Sequence, residues 1–150
     1  MKGKNGKLSA KKYLEQLEAI ETKIDLNKKR LKELKVKSTS NGAIRYDKDK
    51  VDTSVSDSKL EKDVVEYVDL EKTIAEQTKK FRFAKELIIS QIYFLNNADY
   101  ITVLFKIYVE YRTLHDAAKE LGKSDRQVRR YYNLALRAFE SEYTDLHYLT

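Results

Sequence analysis

The stretch Ala117–Tyr132, AAKELGKSDRQVRRYY, contains side chains suited to binding a negatively charged partner. Arg129 and Arg130 follow Arg126 by three and four residues, so on a helix all three would share one face. A guanidinium group presents several N–H donors in a planar fork that fits the edge of guanine or a phosphate group. The pattern therefore predicts charge-assisted hydrogen bonding from one helical face.

The residues around these arginines predict two helices joined by a tight turn. Ala118 is small enough for a second helix to cross, Gly122 permits a left-handed turn, and Val128 would anchor the second helix on the first. Ser124 stands where an N-cap belongs. We therefore expect a helix-turn-helix whose second helix spans residues 125–142.

Such a second helix would present its outer face to the major groove of double-stranded DNA. Lys123 adds a positive charge at the turn. Tyr132, unlike most of the tyrosines, is expected to flank the DNA backbone rather than pack in the core. The side chains expected on the outer face are Ser124, Asp125, Arg126, Arg129, Arg130 and Asn133.

The composition favours helices and excludes several kinds of site. The 150 residues include no proline and four glycines, which fits an all-α chain. With no cysteine and two distant histidines, neither a thiolate metal site nor a catalytic set is expected, so we predict no enzyme activity, no metal and no cofactor. No apolar run reaches the length of a signal peptide or a membrane span. We expect a soluble, intracellular protein with no membrane partner.

Residues 1–8 are basic and aperiodic, and are either an arm that follows phosphates or a solvated tail. Residues 9–95 are expected to form an antiparallel coiled-coil helical hairpin, with a polar loop at 36–59. Whether its two helices pair within one chain or between chains is open. Apolar residues at heptad positions support this expectation: Ala10, Tyr13, Leu17, Ile20, Ile24, Leu31, Leu34, Leu60, Tyr67, Ile74, Phe81, Ile88 and Leu95.

Three finer expectations concern this hairpin. Asn27 is polar in the seam, and either fixes the register or oligomer state or faces water near a helix end. The loop could hold a weak β-hairpin between Ala43–Tyr46 and Val51–Val55. Ser58 followed by Glu61 predicts a capping box that opens the second helix.

A C-terminal three-helix domain is expected at residues 98–143. The sequence NNAD at 96–99 would end the long helix and cap the next one. Residues 100–111 are apolar on most faces and predict a buried helix. The two helices of the expected helix-turn-helix follow.

Residues 100–139, YITVLFKIYVEYRTLHDAAKELGKSDRQVRRYYNLALRAF, resemble the region 4 helix-turn-helix of bacterial sigma factors. With KKYLEQLEAIETKI and the long middle helix, residues 11–143 are similar to small phage and prophage proteins of the ArpU/RinA type of late-gene transcription regulators. No counterpart of the promoter-melting module of sigma factors is present, so a complete sigma factor is not expected.

The resemblance implies a sequence-specific transcription regulator that binds double-stranded DNA in the cytoplasm of a bacterial host cell. Its coiled coil would mediate homo-oligomerisation or contact with host RNA polymerase. It adds Thr113 and Gln127 to the expected DNA contacts. Two positions depart from the pattern: Ala117 stands where isoleucine is common, and Asp125 where a basic or neutral residue is usual. Asp125 would repel phosphate, and is expected to accept from cytosine N4 instead.

Two other functions are compatible with the same sequence. A DNA-packaging protein of the small-terminase kind also combines a helix-turn-helix with a coiled coil. A coiled-coil adaptor would use its C-terminal helices to bind protein only.

Overall fold

The computed structural model describes the backbone of residues 6–45 and 53–149 and the side chains of residues 6–37 and 59–149. Within these ranges the chain is all-helical and contains no strand, which confirms the predicted all-α class. None of the described helices has the length and hydropathy needed to cross a bilayer. The described helices are α1 (Ala10–Arg45), α2 (Thr53–Tyr93), α3 (Ala98–Tyr108), α4 (Leu114–Leu121) and α5 (Asp125–Glu142).

The two long helices extend further into the middle of the chain than predicted. Much of the polar loop expected at 36–59 is helical, because α1 continues to Arg45 and α2 begins at Thr53. The Asn41–Gly42 pair lies within α1, in the segment predicted to be a loop. A glycine in a helix costs only about 1 kcal/mol relative to alanine, and each residue added to an existing helix gains a backbone hydrogen bond. With no proline to remove such a bond, α1 passes through the pair.

The same extension corrects the two finer expectations for this segment. The predicted β-hairpin is wrong where it is described, because Ala43–Arg45 and Thr53–Val55 are helical. The capping box predicted at Ser58 is also wrong as a helix start, since that residue lies inside α2. The remainder of the predicted loop, residues 46–52, lies outside the described residues.

The chain divides into two compact units. The terminal unit contains residues 1–20 and 80–150, and the central unit contains residues 21–79. This division differs from the predicted boundary between a coiled coil at 9–95 and a separate C-terminal domain. The reason is that the first turns of α1 and the last turns of α2 bury apolar side chains together with those of α3 and α5.

The terminal unit has two hydrophobic clusters. In the larger cluster, side chains from both long helices surround Phe139 of α5; its fully buried members include Leu14, Leu17, Ala84, Ile88, Ile92 and Leu104. The smaller cluster joins α3, α4 and α5 through Val103, Ala117, Ala118 and Val128. Since α5 contributes to both clusters, its orientation depends on both.

Hydrogen bonds connect the beginning and the end of the terminal unit. The Leu8 amide donates to the Leu146 carbonyl at 2.8 Å, and the Leu149 amide donates to Oε1 of Gln16 at 2.8 Å. The Ala10 amide donates to the Glu140 carboxylate at 2.9 Å. Ala10 is at the N-terminus of α1, where the helix dipole favours a negative charge. These contacts hold the start of α1 beside the end of α5.

Two side-chain contacts join α1 and α2 within the central unit. Nδ2 of Asn27 donates to Oε1 of Gln77 at 2.9 Å, and Arg30 forms an ion pair of 2.8 Å with Glu66. Of the two roles predicted for Asn27, the structure therefore favours a polar contact in the seam over a side chain that faces water.

Helix α3 begins as predicted and ends early. The Asn97 side chain is the N-cap, accepting from the amides of Asp99 at 2.9 Å and Tyr100 at 3.3 Å. The helix was expected to reach residue 111 but ends at Tyr108. Tyr111 has a φ of 57°, a left-handed conformation that turns the chain toward α4.

Candidate nucleic-acid interface

The turn between α4 and α5 is built by Gly122 and its neighbours. Gly122 has a φ of 63° and caps α4 in the left-handed conformation that glycine adopts without strain from a Cβ atom. The Lys123 amide donates to the Ala118 carbonyl at 3.0 Å, and the Gly122 amide donates to the Lys119 carbonyl at 3.3 Å. These paired bonds close α4 in a Schellman arrangement and leave three residues to reach α5.

Helix α5 begins with a reciprocal capping box. The Gln127 amide donates to Oγ of Ser124 at 3.2 Å, and the Ser124 amide donates to Oε1 of Gln127 at 3.3 Å. Both side chains were expected to contact DNA. The structure shows that each already helps to begin α5, although both remain exposed.

Small buried side chains set the approach of α4 to α5. Ala117, Ala118 and Val128 are buried, and they pack against Val103 of α3. Ala118 of α4 and Val128 of α5 thus share one buried cluster, as packing of α5 on α4 requires. Ala117, which departs from the sigma factor pattern, also lies in this cluster, where a larger side chain would have to displace its neighbours.

One face of α5 carries four arginines and an asparagine that are all exposed; we call it the arginine face, and its members are Arg126, Arg129, Arg130, Asn133 and Arg137. At about 100° per residue, these positions fall within about 100° of each other around the helix. The buried residues Val128, Ala135 and Phe139 lie on the opposite side. Of the six side chains expected on the outer face, Arg126, Arg129, Arg130 and Asn133 lie together on this face, whereas Ser124 is the N-cap and Asp125 lies beside it.

The charges of the arginine face are not neutralised within the described part of the chain. No described acidic side chain lies within ion-pair distance of its four guanidinium groups. The face can therefore offer its hydrogen-bond donors to an anionic partner without first breaking an internal ion pair.

Asp125 has a partner that the sequence did not reveal. Its carboxylate lies 3.1 Å from Nδ1 of His115 on α4, and both side chains are largely exposed. The contact joins α4 to the first turn of α5. Asp125 was expected to accept from cytosine N4, and any such bond would have to compete with the imidazole.

Lys123 occupies a different environment from the arginines. Its ammonium donates to the Asp99 carboxylate at 3.1 Å and lies 4.4 Å from the centre of the Tyr131 ring. The hydrogen bond to Asp99 is the main cause that raises the pKa of Lys123. This side chain therefore connects the turn to α3 and α5, although it was predicted among the DNA contacts.

Thr113 and Tyr132 also take structural positions. Thr113 is the N-cap of α4, where its hydroxyl accepts from the Asp116 amide at 3.1 Å. Tyr132 was expected to flank DNA, but its hydroxyl is 2.6 Å from that of Tyr108 and the two rings stack. Burial is the main cause that raises the pKa of Tyr108 well above its ordinary value.

Two features of this surface were absent from the predicted site. Arg137 continues the arginine face by one more turn, and its spacing of eleven residues from Arg126 was the available signal. Glu120 of α4 pairs with Lys106 and with Arg112, the latter at 3.5 Å, and the bond to Lys106 is the main cause that lowers its pKa. No group of three or more His, Cys, Asp or Glu in the described residues is placed to hold a metal ion.

No family model, curated protein or solved structure matches this chain. The resemblance to sigma factor region 4 thus has no support from these comparisons.

Proposed function

We propose that the chain binds double-stranded DNA in a sequence-specific manner, with α4 and α5 acting as a helix-turn-helix and α5 entering the major groove. The observation that carries this proposal is the arginine face, which is exposed, unpaired among the described residues and opposite the packed side of α5. A recognition helix needs this division, because one side must be held rigidly while the other meets the base edges.

The length of the arginine face suits a groove. Arg126 and Arg137 are eleven residues apart, which corresponds to about 16 Å along a helix. That distance spans about five base pairs of duplex. The face can therefore supply both contacts to base edges and contacts to the phosphates that border the groove.

Different positions on the face are suited to different contacts. Arg126 lies in the first turn of α5, the part of a recognition helix that most often reaches base edges, where a guanidinium can bind O6 and N7 of guanine. Asn133 offers the amide that pairs with N6 and N7 of adenine. Arg137, nearer the other end of α5, is assigned to phosphate.

The central unit supports the second part of the proposal, an antiparallel coiled-coil hairpin. Asn27 of α1 pairs with Gln77 of α2, while the later Arg30 pairs with the earlier Glu66. This reversal of order fits two helices of one chain that run in opposite directions. The hairpin would then provide a surface for oligomerisation or for contact with host RNA polymerase.

Regulation of phage or prophage late genes completes the proposal and rests on the resemblance of residues 11–143. Binding-site selection tests it: the full chain is incubated with a library of random duplexes, and bound sequences are recovered and amplified. A single enriched motif is expected, and its presence upstream of phage late genes would support the regulatory role. Failure to enrich any motif would contradict sequence-specific binding.

A charge-matched pair of variants then tests whether the arginine face binds DNA. Arg126→Ala/Arg129→Ala/Arg130→Ala and Lys28→Ala/Lys29→Ala/Lys32→Ala each remove three exposed positive charges. The arginine variant should bind the selected duplex no better than a random one, a loss of about 1,000-fold or more. The lysine variant should retain the preference. Equal losses would show that only overall charge matters.

Two measurements on the same samples separate the other functions. If light scattering gave the mass of a ring-sized assembly of many subunits, the small-terminase kind of packaging protein would be favoured. A lack of binding to every duplex, even at low salt, would favour an adaptor that binds protein only, since electrostatic attraction to phosphate is strongest there.

A further inference from the structure

The C-terminal part of α2 and the residue that follows it carry a surface line within the terminal unit, which we call the outer stripe; its members are Phe83, Leu87 and Ser90 of α2 and Phe94, which comes directly after the helix. Leu87 is half-buried and the other three are exposed. Phe83 and Phe94 are 68% and 69% exposed, the largest values among the exposed large apolar side chains of the described chain. At about 100° per residue, the three positions in α2 fall within about 60° of each other. The Phe94 amide donates to the Ser90 carbonyl at 3.1 Å, which continues the line past the end of the helix. The stripe is separate from the buried line of Ala84, Ile88 and Ile92 that faces the core.

The stripe continues into a groove at one end. An open groove beside Phe94 has Tyr100 of α3 and Ala138 and Glu142 of α5 among its lining residues. An exposed aromatic line that leads into a partly apolar groove is typical of a surface that another molecule covers.

The spacing of the stripe identifies an occupant. Intervals of four, three and four residues are the same when read in either direction, and a phenylalanine stands at each end. A two-fold axis that passes between Leu87 and Ser90 would therefore place Phe83 against Phe94 of the partner subunit. It would also place Leu87 against Ser90 of the partner subunit, a large side chain against a small one. A C2 interface requires this self-complementarity.

The charges at the two ends also match in this register. Lys80 and Arg82 lie close to Phe83, and Glu142 lines the groove beside Phe94. Antiparallel pairing brings the basic end of each stripe to the acidic groove of the other copy. A parallel arrangement would bring the basic ends together, and like charges would oppose it.

We propose that two copies of this chain pair through the outer stripe, with their α2 helices antiparallel. Burial of the four phenylalanine rings would remove on the order of 500 Å² from water, about a third of a standard interface. The groove walls supply further contact, and a dissociation constant in the micromolar range is expected. This inference does not rest on DNA binding.

The first test is the mass of the full chain in solution, by sedimentation equilibrium from about 1 to 100 μM. The wild type should form dimers. Phe83→Asp and Phe94→Asp should each raise the dissociation constant roughly 100-fold or more, because the two-fold axis removes two rings from each dimer. Both rings are exposed, so the helical circular dichroism of the variants should match the wild type.

Val65→Asp is the matched control, since it introduces the same charge at another exposed apolar position of α2. It should leave the dimer intact. A monomeric wild type would overturn the proposal. So would a dimer that survives Phe83→Asp and Phe94→Asp, or one that only Val65→Asp disrupts.

Cysteine cross-linking tests the register, because the native chain has no cysteine. Chains with Leu87→Cys and chains with Ser90→Cys are oxidised separately and as a mixture. The antiparallel register predicts that the mixed disulfide forms fastest. Faster cross-linking of either variant with itself would contradict the register.

Discussion

The ammonium of Lys123 lies 3.1 Å from the carboxylate of Asp99, and this contact links the residue between α4 and α5 to the first turn of α3. Lys123→Met should keep much of the aliphatic packing and remove the charge. We expect lower thermal stability but duplex affinity within about threefold of the wild type, because the ammonium is already used internally. Melting temperature and fluorescence anisotropy check both parts. A loss of affinity as large as that of Arg126→Ala, without loss of stability, would assign Lys123 to the DNA contacts.

Arg126→Ala should relax base preference at one position of the selected site. Loss of a bidentate contact to guanine costs about 1–3 kcal/mol of discrimination. The measurement is the affinity for the selected duplex and for its single-base variants. The preference at other positions should not change, and a uniform loss across all sequences would place Arg126 on phosphate.

Arg137→Ala should weaken binding to all duplexes by a similar factor. Because the residue is assigned to phosphate, the slope of log affinity against log salt concentration should become shallower by about 1. The slope is measured by titrations between 50 and 200 mM salt. Over this range the affinity of such proteins falls by roughly a decade or more. An unchanged slope would remove Arg137 from the interface.

Gly122→Ala should destabilise the fold through the backbone alone. Beyond the two adjacent residues, a Cβ atom at this position would meet no heavy atom within 4 Å, so the cost comes from the left-handed conformation. That cost is about 1–2 kcal/mol, partly offset by the lower entropy of the unfolded alanine chain. Urea unfolding should show a loss of about 1 kcal/mol. Gly122→Asn should lose less, since asparagine tolerates this conformation better.

The raised pKa of Tyr108 predicts that the fold loses stability at high pH. Burial raises its pKa in the folded state, so above the ordinary pKa of tyrosine the unfolded chain releases a proton that the folded chain retains. The contribution of Tyr108 to the free energy of unfolding is therefore complete below about pH 10. It declines as the pH rises further, by at most about 1.4 kcal/mol per pH unit. Urea unfolding from pH 9 to 11 should show a less steep decline for Tyr108→Phe. The exposed Tyr148→Phe is the control and should follow the wild type.

Much of α4 and α5 was predictable because their signals are local. Ser124 and Gly122 mark helix ends through hydrogen bonds to residues a few positions away, and Val128 belongs to a short apolar pattern. The bounds of α5 and the common face of its arginines follow from such patterns. Each depends on neighbours in the sequence, which is where sequence patterns carry information.

The partners of Asp125 and Lys123 were not predictable by the same means. His115 and Asp99 lie ten and 24 residues away along the chain, and they become neighbours only after α3, α4 and α5 pack. The loop predicted at 36–59 was too long for a different reason. A polar, serine-rich segment has weak preferences, and helix propagation from α1 and α2 outweighs them.

Helix α5 belongs to both hydrophobic clusters, with Val128 in the smaller one and Ala135 and Phe139 in the larger one. Its tilt is therefore set by residues that never touch a ligand. A substitution deep in either cluster would rotate or shift every guanidinium on the helix together. Under the proposed function, binding preference could change during evolution through interior substitutions, with all four arginines kept.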